Sequence, residues 1–177
     1  MTPQAFGALL LGWHDFFLAA AGASAALLGL LFVGVSINLS AISADERVDL
    51  RARAAQAFTN LVFVLVISLL MLIPDPDPAL FAVSLALVAA FGLYRVALNA
   101  YSVIRERDRL QNAVATIRRI GWTVVADVVL AFTAWRLWAT AGAAAVIINL
   151  VIVVFVLLIG AADISWEMLT EVSAEGR

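Results

Sequence analysis

Five apolar runs dominate this chain, and each is long enough to cross the hydrocarbon core of a bilayer. They cover residues 16–40, 54–73, 79–104, 117–138 and 143–164. A spanning helix needs about 20 mostly apolar residues. The stretch from Ile117 to Ile164 is too long for one crossing at about 1.5 Å per residue, so it divides near Ala139–Gly142. The expected architecture is all-α, a polytopic bundle of five spans forming a single transmembrane domain over residues 1–177. The alternative is four spans, with 117–138 laid on the membrane surface as an interfacial helix. Asp127 and Arg136 make that run the least apolar of the five.

Composition agrees. Hydrophobic residues make up 64% of the chain and charged residues 14%. Soluble domains have about 45–50% and about 25%. A water-soluble fold is excluded, and so is disorder, which needs low hydrophobicity and high charge. There is no Cys and one His, so no thiolate chemistry and no multi-histidine metal site is expected within one chain. With no nucleotide-binding loop either, the reading is of a protein that is not an enzyme and holds no cofactor. The net charge of −2 gives no basic footprint for nucleic acid. Residues 1–15 lack the Arg or Lys of a signal peptide, so the first run is read as retained.

The connectors have mechanisms. Pro74-Asp75-Pro76-Asp77-Pro78 cannot continue a helix. It forms a tight turn that should make spans two and three antiparallel neighbours. Ser43-Ala44-Asp45-Glu46 fits a capping box and predicts that helix two starts near Asp45. Arg47, Arg51 and Arg53 lie in the first connector, and Arg105, Arg107, Arg109, Arg118 and Arg119 in the third, whereas the Pro-Asp turn has none. Arg collects on the cytoplasmic side, which predicts the N-terminus outside and the C-terminus inside. Trp13, Trp135 and Trp138 then fall at the outer interface, and Trp122 and Trp166 at the inner one. All basic residues are Arg and none is Lys, which with the Ala and Val richness suggests a GC-rich bacterial genome.

Two patterns mark candidate functional residues. Ala19, Gly22, Ala26, Gly29, Val33, Ser36 and Ser40 recur at alternating spacings of three and four along span one. All but Val33 are very small. Small residues let helix backbones approach closely, and such packing drives association in lipid. The seam packs either on another span of the same chain or on a second copy in a homo-oligomer. The second pattern is an intramembrane polar cluster of Asn38, Asn60, Arg95, Asn99 and Asp127, at similar depths about 9–15 Å inward from the charged connectors. Face periodicity supports inward pointing, with Gln56, Asn60, Val64 and Ser68 on one stripe of span two, Ser84, Val88, Gly92, Arg95, Asn99 and Ser102 on span three, Thr123 and Asp127 on span four, and Asn149, Val153, Val156, Gly160, Asp163 and Glu167 on span five. Arg95 and Asp127 are opposite charges on consecutive spans and are expected to pair, directly or through water. The pair either fixes packing or carries a function.

Asp163, Glu167 and Glu171 form an acidic stripe on a C-terminal helix. That helix is expected to dock against Arg47, Arg51, Arg105 and Arg109, aided by Trp166 and Leu169. His14, beside Trp13 at the end of span one, reads as a water-facing anchor.

The block WHDFFLAAAGASAALLGLLFVGVSINLS, from Trp13 to Ser40, resembles the first span of small uncharacterised bacterial integral membrane proteins, many of them actinobacterial. Elsewhere the likeness is one of hydropathy. The resemblance implies a multi-pass protein of the bacterial cytoplasmic membrane, with no activity, catalytic residue or ligand assigned. Two function classes follow. One is a helix-packing or partner-binding protein whose partners are the lipid bilayer and either a second copy through span one or another membrane protein. The other is a small oligomeric channel or transporter with a polar path through Ser36, Asn38, Asn60, Arg95, Asn99 and Asp127. They differ in whether the polar face lines a continuous cavity or is closed by side chains.

Overall fold

The computed structural model describes residues 3–37, 48–74, 77–105, 113–140 and 143–175, and the regular structure among them is all helical. The helices are α1 Pro3–Leu11, α2 His14–Ile37, α3 Val48–Met71, α4 Pro78–Arg105, α5 Ala113–Thr140 and α6 Ala143–Glu175. Five of them, α2 to α6, are long and apolar enough to span a membrane.

Local chemistry sets the helix ends. Pro3 opens α1, where its missing N–H costs nothing. Gly12 and Trp13 turn the chain, with the Trp13 N–H on the Leu10 carbonyl at 3.0 Å and the Phe17 N–H on the Trp13 carbonyl at 3.1 Å. The apolar runs gave no sign of α1, because nine residues are too short to span. At the start of α4 the Asp77 carboxylate caps the helix, accepting the N–H of Ala79 at 2.7 Å and of Leu80 at 3.3 Å. The Ser43–Glu46 capping box lies outside the described residues.

Packing orders the spans. α2 lies against α3, α3 against α6, α6 against α5, and α5 against α4. α6 therefore joins two pairs, α2/α3 and α4/α5. Although the Pro-Asp turn links them, α3 and α4 meet only lightly. The core includes Phe17, Val64, Ile67, Leu85, Leu130, Ile147, Leu150 and Leu157, all essentially inaccessible. Large apolar side chains such as Leu30, Phe91, Phe132 and Phe155 face outward, as lipid as solvent allows.

α5 buries Thr123, Ala126, Asp127, Leu130, Thr133, Ala134 and Leu137 along its length, between α4 and α6. That is how a span packs. The interfacial-helix alternative does not describe it.

α6 runs unbroken to Glu175, past the apolar stretch that ends at Trp166. Ile164 is buried on Ala54 and Ala57, with Leu31 and Val35 beside them. Trp166, expected to help dock the tail, is largely exposed, and the buried side chain is Ile164, two residues before it and about 200° around the helix. The side chains of Leu169, Glu167 and Glu171 lie outside the described residues. Amide exchange across residues 161–166 should be slow, and Ile164→Ala should accelerate it. Exchange in the native chain as fast as at a frayed helix end would show that this part of α6 is not held.

Candidate functional site

The polar side chains gather where α3 and α5 face each other. Gln56 and Asn60 stand one turn apart on α3, and Thr123 and Asp127 one turn apart on α5, so each pair shares a face. The Gln56 Nε2 donates to the Thr123 hydroxyl at 2.6 Å, and more weakly to the Asn60 Oδ1 at 3.4 Å. The Thr123 hydroxyl in turn donates to the Asn60 Oδ1 at 3.1 Å. The three side chains close a triangle across two helices that have few other close approaches.

Two glycines make room for it. A Cβ at Gly160 would lie 3.3 Å from both the Asn60 Nδ2 and the Trp122 Cβ, so a larger residue there would have to push its neighbours back by a few tenths of an ångström. At Gly92 a Cβ would overlap the Asp127 carboxyl group, within 2.6 Å of its Oδ2. Asp127 thus lies flat against the α4 backbone and is 1% exposed. Among the described residues, the Asn60 Nδ2, the Ser68 Oγ and the Asp127 Oδ2 are buried polar atoms without a hydrogen-bond partner. Such orphans are uncommon, because each forfeits the hydration it had in water.

Arg95 and Asp127 do not form the expected direct pair. The half-buried Arg95 guanidinium donates through Nη2 to the Thr59 hydroxyl on α3 at 3.1 Å, and that hydroxyl donates to the Ala55 carbonyl at 2.8 Å. No ion pair joins Arg95 to Asp127 among the described residues. Side-chain length explains the difference. The short Asp127 side chain ends on the backbone at Gly92, while the long Arg95 stem carries its charge past that point to α3.

Of the predicted cluster, Asn60, Arg95 and Asp127 lie in one region. Asn38 and the side chain of Asn99 lie outside the described residues. Gln56 and Thr123 are full members, and their stripe positions signalled it. Thr59 gave no such signal, because it lies off the Gln56–Asn60–Ser68 stripe. The group is closed by side chains, with Asn60 at 0% and Thr123 at 3% exposure. A groove of about 380 Å³ between α4 and α5, near Ala82, Ala86, Ala134 and Trp138, is apolar and contains none of these residues.

The span-one seam has the opposite character. α2 turns Phe17, Ala20, Ala21 and Ser24 inward, followed by the half-buried Leu28, Leu31 and Val35. The Ser24 hydroxyl donates to the Leu61 carbonyl of α3 at 2.6 Å, a contact the sequence patterns did not reveal. Ala19, Gly22, Ala26, Gly29, Val33 and Ser36 lie on the far side and are all exposed. A Cβ at Gly22 or Gly29 would meet nothing within 4 Å. Ser36 turns its hydroxyl back to the Phe32 carbonyl at 2.8 Å, hiding its polarity. Packing of this seam within the chain is therefore corrected, while Ser40 lies outside the described residues. At the start of α2, His14 meets only the exposed Asp15, at 3.3 Å, and no metal-sized cluster of ligating side chains occurs among the described residues. Comparisons of the chain with family models, with curated proteins and with solved structures find no match.

Proposed function

We propose that this is a multi-pass protein of the bacterial cytoplasmic membrane that assembles through the outer face of α2 with a second copy of itself. The reading is of a helix-packing membrane protein rather than an enzyme, with the N-terminus outside and the C-terminus inside. One observation carries it: the small-residue face of α2 lies opposite the face that packs on α3, and none of the described residues covers it. Lipid offers no hydrophobic drive for helices to associate, so close backbone approach across small residues does that work. α2 sits at the edge of the bundle, packed chiefly on α3, so its outer face is open to a two-fold partner.

The test is self-association in bilayers, read by energy transfer between differently labelled copies at varied protein density. Gly29→Leu should weaken association by about ten-fold or more, equivalent to about 1.4 kcal/mol. It should leave the monomer fold intact, because the added side chain meets no neighbour within the chain. Leu27→Ala, exposed but away from the seam, should change little. It is a better control than Leu28→Ala, since Leu28 is half-buried on the α3 side. Equal behaviour of Gly29→Leu and Leu27→Ala would reject the seam, and a monomer at every density would reject a second copy as its occupant.

A second reading, a small oligomeric channel or transporter, draws on the unpartnered atoms of Asn60 and Asp127. Ion flux in liposomes that Asp127→Asn abolishes, without loss of assembly, would favour it.

A further inference from the structure

We propose that the Arg95 guanidinium exchanges between two anchors, the Thr59 hydroxyl on α3 and the Asp127 carboxyl on α5. Its hold on Thr59 keeps the lightly packed side between α3 and α4 closed.

The geometry begins at Gly92. The Asp127 carboxyl occupies the space where a side chain at position 92 would start. Arg95 is three residues further along the same face of α4, so its Cβ stands about 5–6 Å from that point. Helical side chains lean toward the N-terminus, which tilts the Arg95 stem over Gly92 and hence toward the carboxyl. A three-methylene stem crosses such a separation.

Hydrogen-bond supply points the same way. A guanidinium has five N–H donors, and Arg95 uses one of them on Thr59. The Asp127 Oδ2 is buried and has no donor. Thr59 is a neutral acceptor, whereas a bond between guanidinium and carboxylate is charge-assisted and roughly twice as strong. Against this, a guanidinium turned to Asp127 gives up its bond to the Thr59 hydroxyl, which opposes the move. Two opposed terms acting on one long side chain give two positions rather than one.

The anchors belong to different halves of the bundle. On Thr59, Arg95 ties α4 to α3 across a side where those helices barely pack. The edge-on contact of Phe63 with Phe91, with ring centroids 6.1 Å apart, is a further link across that side. On Asp127, Arg95 ties α4 to α5, with which it already packs closely, and the bridge to α3 is gone.

The test uses the full chain in lipid nanodiscs. The chain has no Cys, so cysteines placed at the exposed Ala52 of α3 and Leu98 of α4 carry a unique pair of spin labels. Thr59→Val should lengthen the distance between the labels, and Thr59→Ser, which restores a hydroxyl, should return it to the native value. In parallel, the coupling of Arg95→Gln with Asp127→Asn is measured by a double-mutant cycle on the unfolding equilibrium. It should be small with Thr59 present and rise to about ten-fold or more with Thr59→Val, the range for a hydrogen bond to a charged group. Thr59→Ala serves the same purpose if the valine variant does not insert. Absence of coupling in both backgrounds would remove Asp127 as an anchor. Full coupling with Thr59 present would mean a static pair. An unchanged label distance in Thr59→Val would remove the closing role.

Discussion

Gly92→Val is expected to destabilise the bundle by about 1–3 kcal/mol, the range for overpacking a filled interior. The first added atom would overlap the Asp127 carboxyl group, which is 1% exposed. Relief requires turning Asp127 out of its place or separating α4 from α5, its closest packing partner. Reversible unfolding in bicelles reads the loss. Gly22→Val is the matched comparison, because a Cβ there meets nothing within 4 Å and the monomer should tolerate it. Equal stability of the two variants would mean that Asp127 does not rest against the backbone at position 92.

Thr123→Val should rank beside it, although it preserves the shape of the side chain. The hydroxyl accepts from Gln56 and donates to Asn60, so its removal takes a partner from each. Leaving a buried polar group unpaired costs about 1–3 kcal/mol. What remains to both side chains is the weaker 3.4 Å bond from the Gln56 Nε2 to the Asn60 Oδ1, and the Asn60 Nδ2 is already without a partner. Pairing Thr123→Val with Gln56→Leu should cost less than the sum of the two single changes, since each of them already breaks the Gln56–Thr123 bond. A double variant as unstable as the sum of the singles would show that the triangle does not act as a unit.

How far these sites could be read from the sequence depends on the kind of signal. Element existence was plain, because 20-residue apolar runs have one explanation. The inward stripe of Gln56, Asn60, Val64 and Ser68 was equally plain, and all four side chains are buried. Depth and sign suggested an Arg95–Asp127 pair, but neither quantity carries azimuth or reach. A glycine at position 92 lets the carboxyl settle on the backbone, and that is a three-dimensional fact. Thr59 was invisible for the same reason. It lies one residue from Asn60, about 100° around the helix, and points at α4 instead of α5. Likewise, the spacing of small residues on span one shows that a close contact is prepared but not on which side of the helix the rest of the chain lies.

The placement of α6 imposes an order on the making of this bundle. A chain leaves the ribosome from its N-terminus. The first two spans have each other, and the next two have each other, before the last is made. Those pairs scarcely touch until α6, packing on both α3 and α5, draws them together. The Gln56–Thr123 bond joins one pair to the other, so it belongs to the end of biogenesis. Until then the amides of Gln56 and Asn60 lack the Thr123 hydroxyl that they share in the finished bundle. α6 is the keystone of the described bundle, since before it packs the polar groups of one pair lack those of the other.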